Sequence, residues 1–261
     1  MNKDQLNSRR DFVRKMMLTG LATCSLPVIS AMAENPGYSS KSGKTANLVF
    51  LFQGDSITDG NRGRTADPNH IMGHGYAFSI ASRLGADFPE KRLTFYNRGI
   101  SGNKVTDLEA RWQKDTLDLK PDLLSVLVGI NDSASVVFNR QPVVSVAKYG
   151  EVYKSLLDQT QLQFPEVLMV LCNPFLLPVG KVKDNQVAYK ADLEQRQAIV
   201  KKLASAYNAV FVDFQAVFDK ACHRAAAEYW IWDGVHPTVA GHELMAREWM
   251  KQAGKRLKFI R

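Results

Sequence analysis

Three observations predict an α/β fold: a five-stranded parallel sheet covered on both faces, a three-layer α/β/α sandwich. Five short apolar runs rich in β-branched and aromatic residues occur at Asn47–Phe52, Leu93–Tyr96, Leu123–Val128, Val167–Leu171 and Val210–Phe214. Their length suits strands, and their near-continuous apolar character is that of strands buried on both faces. Longer amphipathic stretches separate them, as parallel connections require. Each run also ends near Gly, Asn or Asp, where a strand gives way to a polar turn.

In chain order, the amphipathic stretches are Tyr76–Leu84, Val105–Leu117, Ser145–Phe164, Val187–Tyr207 and Phe214–Tyr229, all expected as helices. A last helix is expected after Pro237, with Thr238 as its N-cap. The connection from Gly60 to Gly75 has sixteen residues, four of them glycine, which is long for a routine strand-to-helix loop. At the carboxyl edge of a sheet such a loop shapes a site or an interface. It carries His70 and His74, each of which alone reads as a solvated loop histidine. No 20–50-residue period repeats, and 261 residues with 45% hydrophobic content suit one sizeable domain, expected over 47–261.

The amino terminus has a different character. Basic residues Arg9, Arg10, Arg14 and Lys15 precede a charge-free, moderately apolar run from Met16 to Ala33 that ends Ala31-Met32-Ala33. This is the layout of a removable export signal over 1–33, and the paired arginines before Phe12 resemble a twin-arginine address. An uncleaved leader is the one route to a membrane that the sequence offers. A lipoprotein signal at Cys24 fits less well, because Thr23 stands where a smaller residue is expected. Residues 34–46, rich in Ser, Gly and Lys, read as a flexible tether. Loss of the leader takes the formal net charge from +8 to +5. The remaining basic residues are interspersed with acidic ones, so nucleic-acid binding is not implied. Of three cysteines, Cys172 and Cys222 remain, at unrelated positions that suit separate thiols better than a disulfide. No metal-ligand spacing is present, and no cofactor is expected.

Four strand ends hold the candidate chemistry. The first is Gly54-Asp55-Ser56, where Gly54 permits a tight turn and Ser56 stands just beyond the strand. Alone, it reads as an ordinary turn in which Asp and Ser satisfy backbone donors. The others are Asn97-Arg98-Gly99-Ile100-Ser101-Gly102, Gly129-Ile130-Asn131-Asp132 and Asp233-Gly234-Val235-His236-Pro237. Carboxyl ends of parallel strands converge on one crevice. Together the four supply a serine, a carboxylate three residues before a histidine, and neutral donors. Acyl transfer needs that inventory: a base to take the hydroxyl proton, an acid to orient the base, and donors for an oxyanion. Asp55 reads as a turn residue, Asp59 and Asp132 as caps or partners of Arg62 or Arg98, and His223 and His242 as surface or packing histidines.

These four blocks, in this order, resemble the SGNH hydrolases, also called the GDSL esterase/lipase family, from Leu48 to the last helix. The resemblance implies a flavodoxin-like α/β/α hydrolase fold. It also implies Ser56 as nucleophile, His236 as general base and Asp233 as its orienting carboxylate. The backbone amides of Ser56 and Gly99 and the side chain of Asn131 would form the oxyanion hole. The Gly-x-Ser-x-Gly elbow of the α/β-hydrolases is absent.

Block wording (GDSITD, GHGY, NRGISGNKVTDLEARW, KPDLLSVLVGIND) is similar to bacterial carbohydrate acetylesterases, acetylxylan esterases among them. The expectation is an exported serine esterase acting on acetylated carbohydrate. Trp230, Trp232 and His74 are candidate substrate contacts, core packing being the other reading for each tryptophan. A lysophospholipase or thioesterase, or a non-catalytic glycan-binding protein on this fold, are the alternatives. Self-association is open.

Overall fold

The computed structural model describes residues 44–65 and 67–260. The expected leader and residues 34–43 of the expected tether lie outside them. At the tether's described end, Lys44 Nζ pairs with Asp122 Oδ2 at 2.6 Å, and Asn47 donates its amide to Lys91 O.

Five strands form the sheet: β1 (Val49–Gly54), β2 (Thr94–Asn97), β3 (Leu123–Leu127), β4 (Leu168–Cys172) and β5 (Val210–Val212). All neighbours are parallel, in the order β2-β1-β3-β4-β5. Every expected strand is present, within one or two residues at each end. Side chains alternate between two cores, as the two-residue strand period requires. Phe50, Phe52, Leu123, Leu127, Leu168 and Val170 face one core. Leu51, Leu124, Val126, Met169 and Leu171 face the other. At about 25 cal/mol per Å² of apolar surface, each such side chain contributes roughly 1.5–3 kcal/mol.

On the first face lie α2 (Tyr76–Asp87), α7 (Phe214–Ala221) and α9 (Val239–Ala253), through Tyr76, Ile80, Phe214, Phe218 and Trp249. On the second lie α3 (Val105–Asp115), α5 (Val146–Gln163) and much of α6 (Gln186–Ala206), through Trp112, Tyr153, Leu156 and Val200. Two buried indoles find partners: Trp249 Nε1 donates to Ser125 Oγ at 3.0 Å and Trp112 Nε1 to Thr160 Oγ1 at 3.1 Å. The connection through α2 packs on one face and that through α3 on the other. The direction of winding therefore reverses at β1, which opens a crevice at the carboxyl ends of β1 and β3.

Three elements depart from expectation. The stretch 214–229 is not one helix. It breaks after Ala221, and α8 (Ala227–Trp230) folds back so that Trp230 Nε1 donates to the terminal carbonyl of Ala221 at 3.1 Å. Two short helices were not anticipated, α1 (Ser56–Asp59) and α4 (Ile130–Val137), each starting directly after a strand-end glycine turn. Cys172 is buried and Cys222 partly buried; neither is in a disulfide, as their spacing suggested. Among the described residues, no helix is long and apolar enough to cross a membrane.

Candidate active site

The end of β1 determines where Ser56 points. A Cβ on Gly54 would lie 2.2 Å from Leu127 O and 2.5 Å from Thr58 Oγ1, so only glycine fits between β3 and α1. Asp55, fully buried, caps α1 by accepting from the Ile57 amide at 3.0 Å. Burial pushes its carboxyl up to about 7 against that hydrogen bond. Asp55 is therefore the scaffold residue expected from its turn position, and Ser56 opens the helix half-buried, facing the crevice.

The segment from Ile231 to Pro237 closes on itself. Ile231 and Pro237 form an antiparallel bridge, Trp232 N donates to His236 O at 3.2 Å, and Thr238 N donates to Trp230 O at 2.9 Å. Thr238 is the N-cap of α9, as expected, accepting from Gly241 N. Within this loop Asp233 Oδ1 accepts from the amides of Val235 (3.0 Å) and His236 (2.7 Å). The other oxygen, Oδ2, lies 2.7 Å from His236 Nδ1, and His236 Nε2 lies 2.8 Å from Ser56 Oγ. Two residues 180 positions apart thus meet in one hydrogen-bonded line from carboxylate to imidazole to hydroxyl. With the ring proton on Nδ1 facing the carboxylate, Nε2 is free to accept from the serine.

Electrostatics follow the same line. Burial raises the Asp233 carboxyl, but hydrogen bonds from the His236 ring and two amides outweigh it and hold the group at about 2. His236 is raised above its ordinary 6.5, first through its hydrogen bond to Asp233 and against partial burial. The imidazolium is stabilised by a carboxylate that stays ionised.

The candidate oxyanion donors divide. Ser56 N–H, first in α1, makes no hydrogen bond within the described residues. Asn131, second in α4, points its Nδ2 to Asn103 O at 3.2 Å, and its second N–H has no acceptor among the described residues. Gly99 does not fit its expected role. Its amide is buried and donates to Asn97 Oδ1 at 2.9 Å. A Cβ there would be 2.3 Å from Asp59 N, so this glycine is required for close packing against α1. Three residues on, Gly102 is exposed with φ +83°, and among the described residues its amide has no acceptor. Sequence reasoning passed over it, although NRGISG offers two glycines.

The expected substrate contacts also divide. Trp230 is 7% exposed and belongs to the core, its indole N–H already bonded to Ala221 O, which corrects the expectation of a substrate contact. Trp232 is 64% exposed and lies over the His236 ring. His74 is exposed beside the site. The nearby His242 accepts from Tyr76 N through Nδ1, and burial, with His74 and His236 adding to it, lowers it to about 4. The long loop is tied to the site floor. Asn97 Nδ2 donates to Thr58 O and Met72 O, and Arg64, in place of the expected Arg62 or Arg98, pairs with Asp59 at 2.7 Å. Asp132 caps α3, accepting from Val105 N at 3.0 Å. Among the described residues no group of three or more His, Cys, Asp or Glu side chains is placed to hold a metal ion.

Residues 52–244 match the model of the GDSL-like Lipase/Acylhydrolase family. The chain belongs to that family. Members most similar to it include the acetylxylan esterase of Geobacillus stearothermophilus, 34% identical over 210 residues that span 78% of this chain and 93% of that protein. The crystal structure of the acetylxylan esterase Axe2 from that organism superposes with a TM-score of 0.71 at 34% identity, covering 81% of this chain and 96% of that one. A GDSL-like lipase candidate from Parabacteroides merdae gives 0.77 at 37% identity, covering 81% and 97%. Catalytic mutants of Axe2 with alanine in place of a serine or of an aspartate are also among the similar structures. Like its GDSL relatives, this chain is a carboxylic ester hydrolase.

Proposed function

We propose that this GDSL hydrolase is an exported serine esterase that removes acetyl groups from acetylated xylan-type oligosaccharides. The observation that carries the reading is the unbroken line Asp233 Oδ2–His236 Nδ1, His236 Nε2–Ser56 Oγ, at 2.7 and 2.8 Å. Ser56 Oγ attacks the acetyl carbonyl carbon while His236 Nε2 takes the hydroxyl proton. The negative oxygen is held by the amides of Ser56 and Gly102 and by Asn131 Nδ2. Collapse of the adduct breaks the bond to the sugar oxygen, which leaves with the proton from His236. Water then attacks the acetyl-serine with the same histidine as base, releasing acetate and restoring Ser56. Asp233 stays ionised throughout and fixes the ring.

Support for the acetyl-glycan substrate comes from similarity to an acetylxylan esterase and from the exposed face of Trp232 beside the site, since aromatic faces suit sugar rings. Export is supported by the leader-like residues 1–33. Purified protein is expected to release acetate from acetylated xylo-oligosaccharides and to hydrolyse long-chain esters poorly. Preference for long acyl chains instead points to a lysophospholipase or thioesterase and overturns the substrate assignment. For export, the amino-terminal sequence of the secreted product should begin close to Glu34; recovery of intact leader in the cytoplasm alone contradicts it.

A further inference from the structure

Arg111 lies near the end of the long NRGISGNKVTDLEARW block, inside an amphipathic helix, yet its side chain is only 14% exposed. From α3 it reaches back to the carboxyl edge of the sheet. Its Nε donates to Asn103 Oδ1 at 2.9 Å, and one terminal nitrogen donates to Arg98 O at 2.8 Å and Asp115 Oδ2 at 3.1 Å. The other terminal nitrogen approaches Gly54 O at 3.4 Å. Gly54 closes β1 two residues before Ser56, and Arg98 and Asn103 flank the turn that carries Gly102. One rigid fork therefore spans the two strand ends that bear the backbone donors.

The third donor is reached through Asn103. Its carbonyl accepts from Asn131 Nδ2 at 3.2 Å. A carbonyl can face only the nitrogen of a side-chain amide, so this contact fixes which way round the Asn131 amide stands. With one N–H directed at Asn103 O, the direction of the second is set as well. Misaiming a donor weakens a hydrogen bond steeply, and oxyanion stabilisation depends on donors aimed before the charge forms.

We infer that Arg111 is a positioning residue for the oxyanion hole, acting through Asn103 to aim the free N–H of Asn131 and to hold the Gly102 turn against the end of β1. The inference rests on the esterase reading of Asn131 given above. A lysine cannot replace the fork, because one ammonium does not reach acceptors on both strand ends in fixed directions. A purely structural role, in which Arg111 only joins α3 to the sheet through Asp115 and the carbonyls, makes a different prediction.

The test is a double-mutant cycle on the full chain, with kcat and KM for 4-nitrophenyl acetate and a thermal midpoint for each variant. Asn131→Ala is expected to lower kcat about 100-fold. Arg111→Lys and Asn103→Ala should each lower kcat about 10-fold with KM within about twofold. In the Asn131→Ala background each should lower it less than about twofold, because the donor they aim is gone. Full additivity in both cycles overturns the role of Arg111 while leaving the oxyanion reading intact. Unchanged kcat in both Arg111→Lys and Asn103→Ala overturns it equally. Unchanged kcat in Asn131→Ala instead removes the oxyanion reading, and this inference with it. Should Arg111→Lys fail to fold, the Asn103→Ala cycle cuts the same link and decides alone.

Discussion

Trp232 lies nearly parallel to His236, with ring centres 6.3 Å apart and planes inclined by 26°. Trp232 is 64% exposed, so an open aromatic surface for a sugar ring stands next to the base. Trp232→Ala is expected to raise KM for acetylated xylo-oligosaccharide by about 3- to 10-fold, a loss of the order of one aromatic contact. KM for 4-nitrophenyl acetate, which has no sugar, should change less than about twofold. Parallel kinetics on the two substrates check this, and equal changes for both count against a sugar platform.

The pH profile should report the Asp233–His236 pair. His236 acts as base only when neutral, so activity rises as pH passes upward through its pKa. That pKa stands above the ordinary 6.5 because of the hydrogen bond to Asp233. Asp233→Asn keeps an oxygen for the amides of Val235 and His236 but removes the charge. The acid limb of kcat/KM should therefore move to lower pH, and the plateau should fall on the order of 10³-fold. The stability sign is opposite: the raised His236 pKa contributes to folding below 6.5, and the contribution is lost as pH rises through the folded value.

His242 predicts an acid sensitivity of folding. Its pKa is lowered from 6.5 to about 4, mainly by burial, while its Nδ1 accepts from Tyr76 N. The unfolded chain binds the proton more readily between these values, so stability falls as pH drops through that window. From this histidine alone the loss at pH 5 should be about 2 kcal/mol relative to pH 7, while buried Asp55 and Asp132, raised to about 7 and about 6, contribute in the opposite sense. His242→Asn, which retains an acceptor but cannot titrate, should gain about 2 kcal/mol on the wild type between pH 7 and pH 5 in urea unfolding measured at both pH values.

Gly234 stands at φ +95°, and a Cβ there would lie 2.5 Å from Val179 O and 2.5 Å from Val182 Cγ2. Its carbonyl accepts from Leu177 N at 3.0 Å, which docks the Asp233–His236 turn on the segment after β4. Gly234→Ala should cost about 2–4 kcal/mol through strain and forced movement of that segment. The accompanying shift of Asp233 should lower kcat on the order of 10-fold. Thermal unfolding and kcat of the same preparation check both, and an unchanged midpoint contradicts the packing argument.

Strands were legible because each is a short apolar run between polar turns, and Ser56 because it stands just beyond one; Asp233 and His236, expected at a strand end, stand instead in the loop between α8 and α9. What escaped was decided by tertiary contacts. Gly99 and Gly102 read alike within NRGISG; only the reach of Asn97 Oδ1 back to Gly99 N separates an engaged amide from a free one. Trp230 and Trp232 differ by two positions, and only the first is turned into the core, where its indole donates to Ala221 O. Nothing in the spacing of Arg111 within its amphipathic stretch shows that the guanidinium turns inward to Gly54, Arg98 and Asn103. Asp59 found Arg64 because the long loop folds back over α1.

The central claim is that Ser56 Oγ is the attacking atom. Ser56→Ala removes that oxygen and leaves His236 and Asp233 in place. Pre-steady-state hydrolysis of 4-nitrophenyl acetate should show a burst of 4-nitrophenol and an acetylated Ser56 peptide by mass spectrometry in the wild type. Neither should appear in Ser56→Ala, with turnover reduced on the order of 10⁴-fold or more. A folded Ser56→Ala protein that still turns over at the wild-type rate, or an acetyl group found on another residue, contradicts the account.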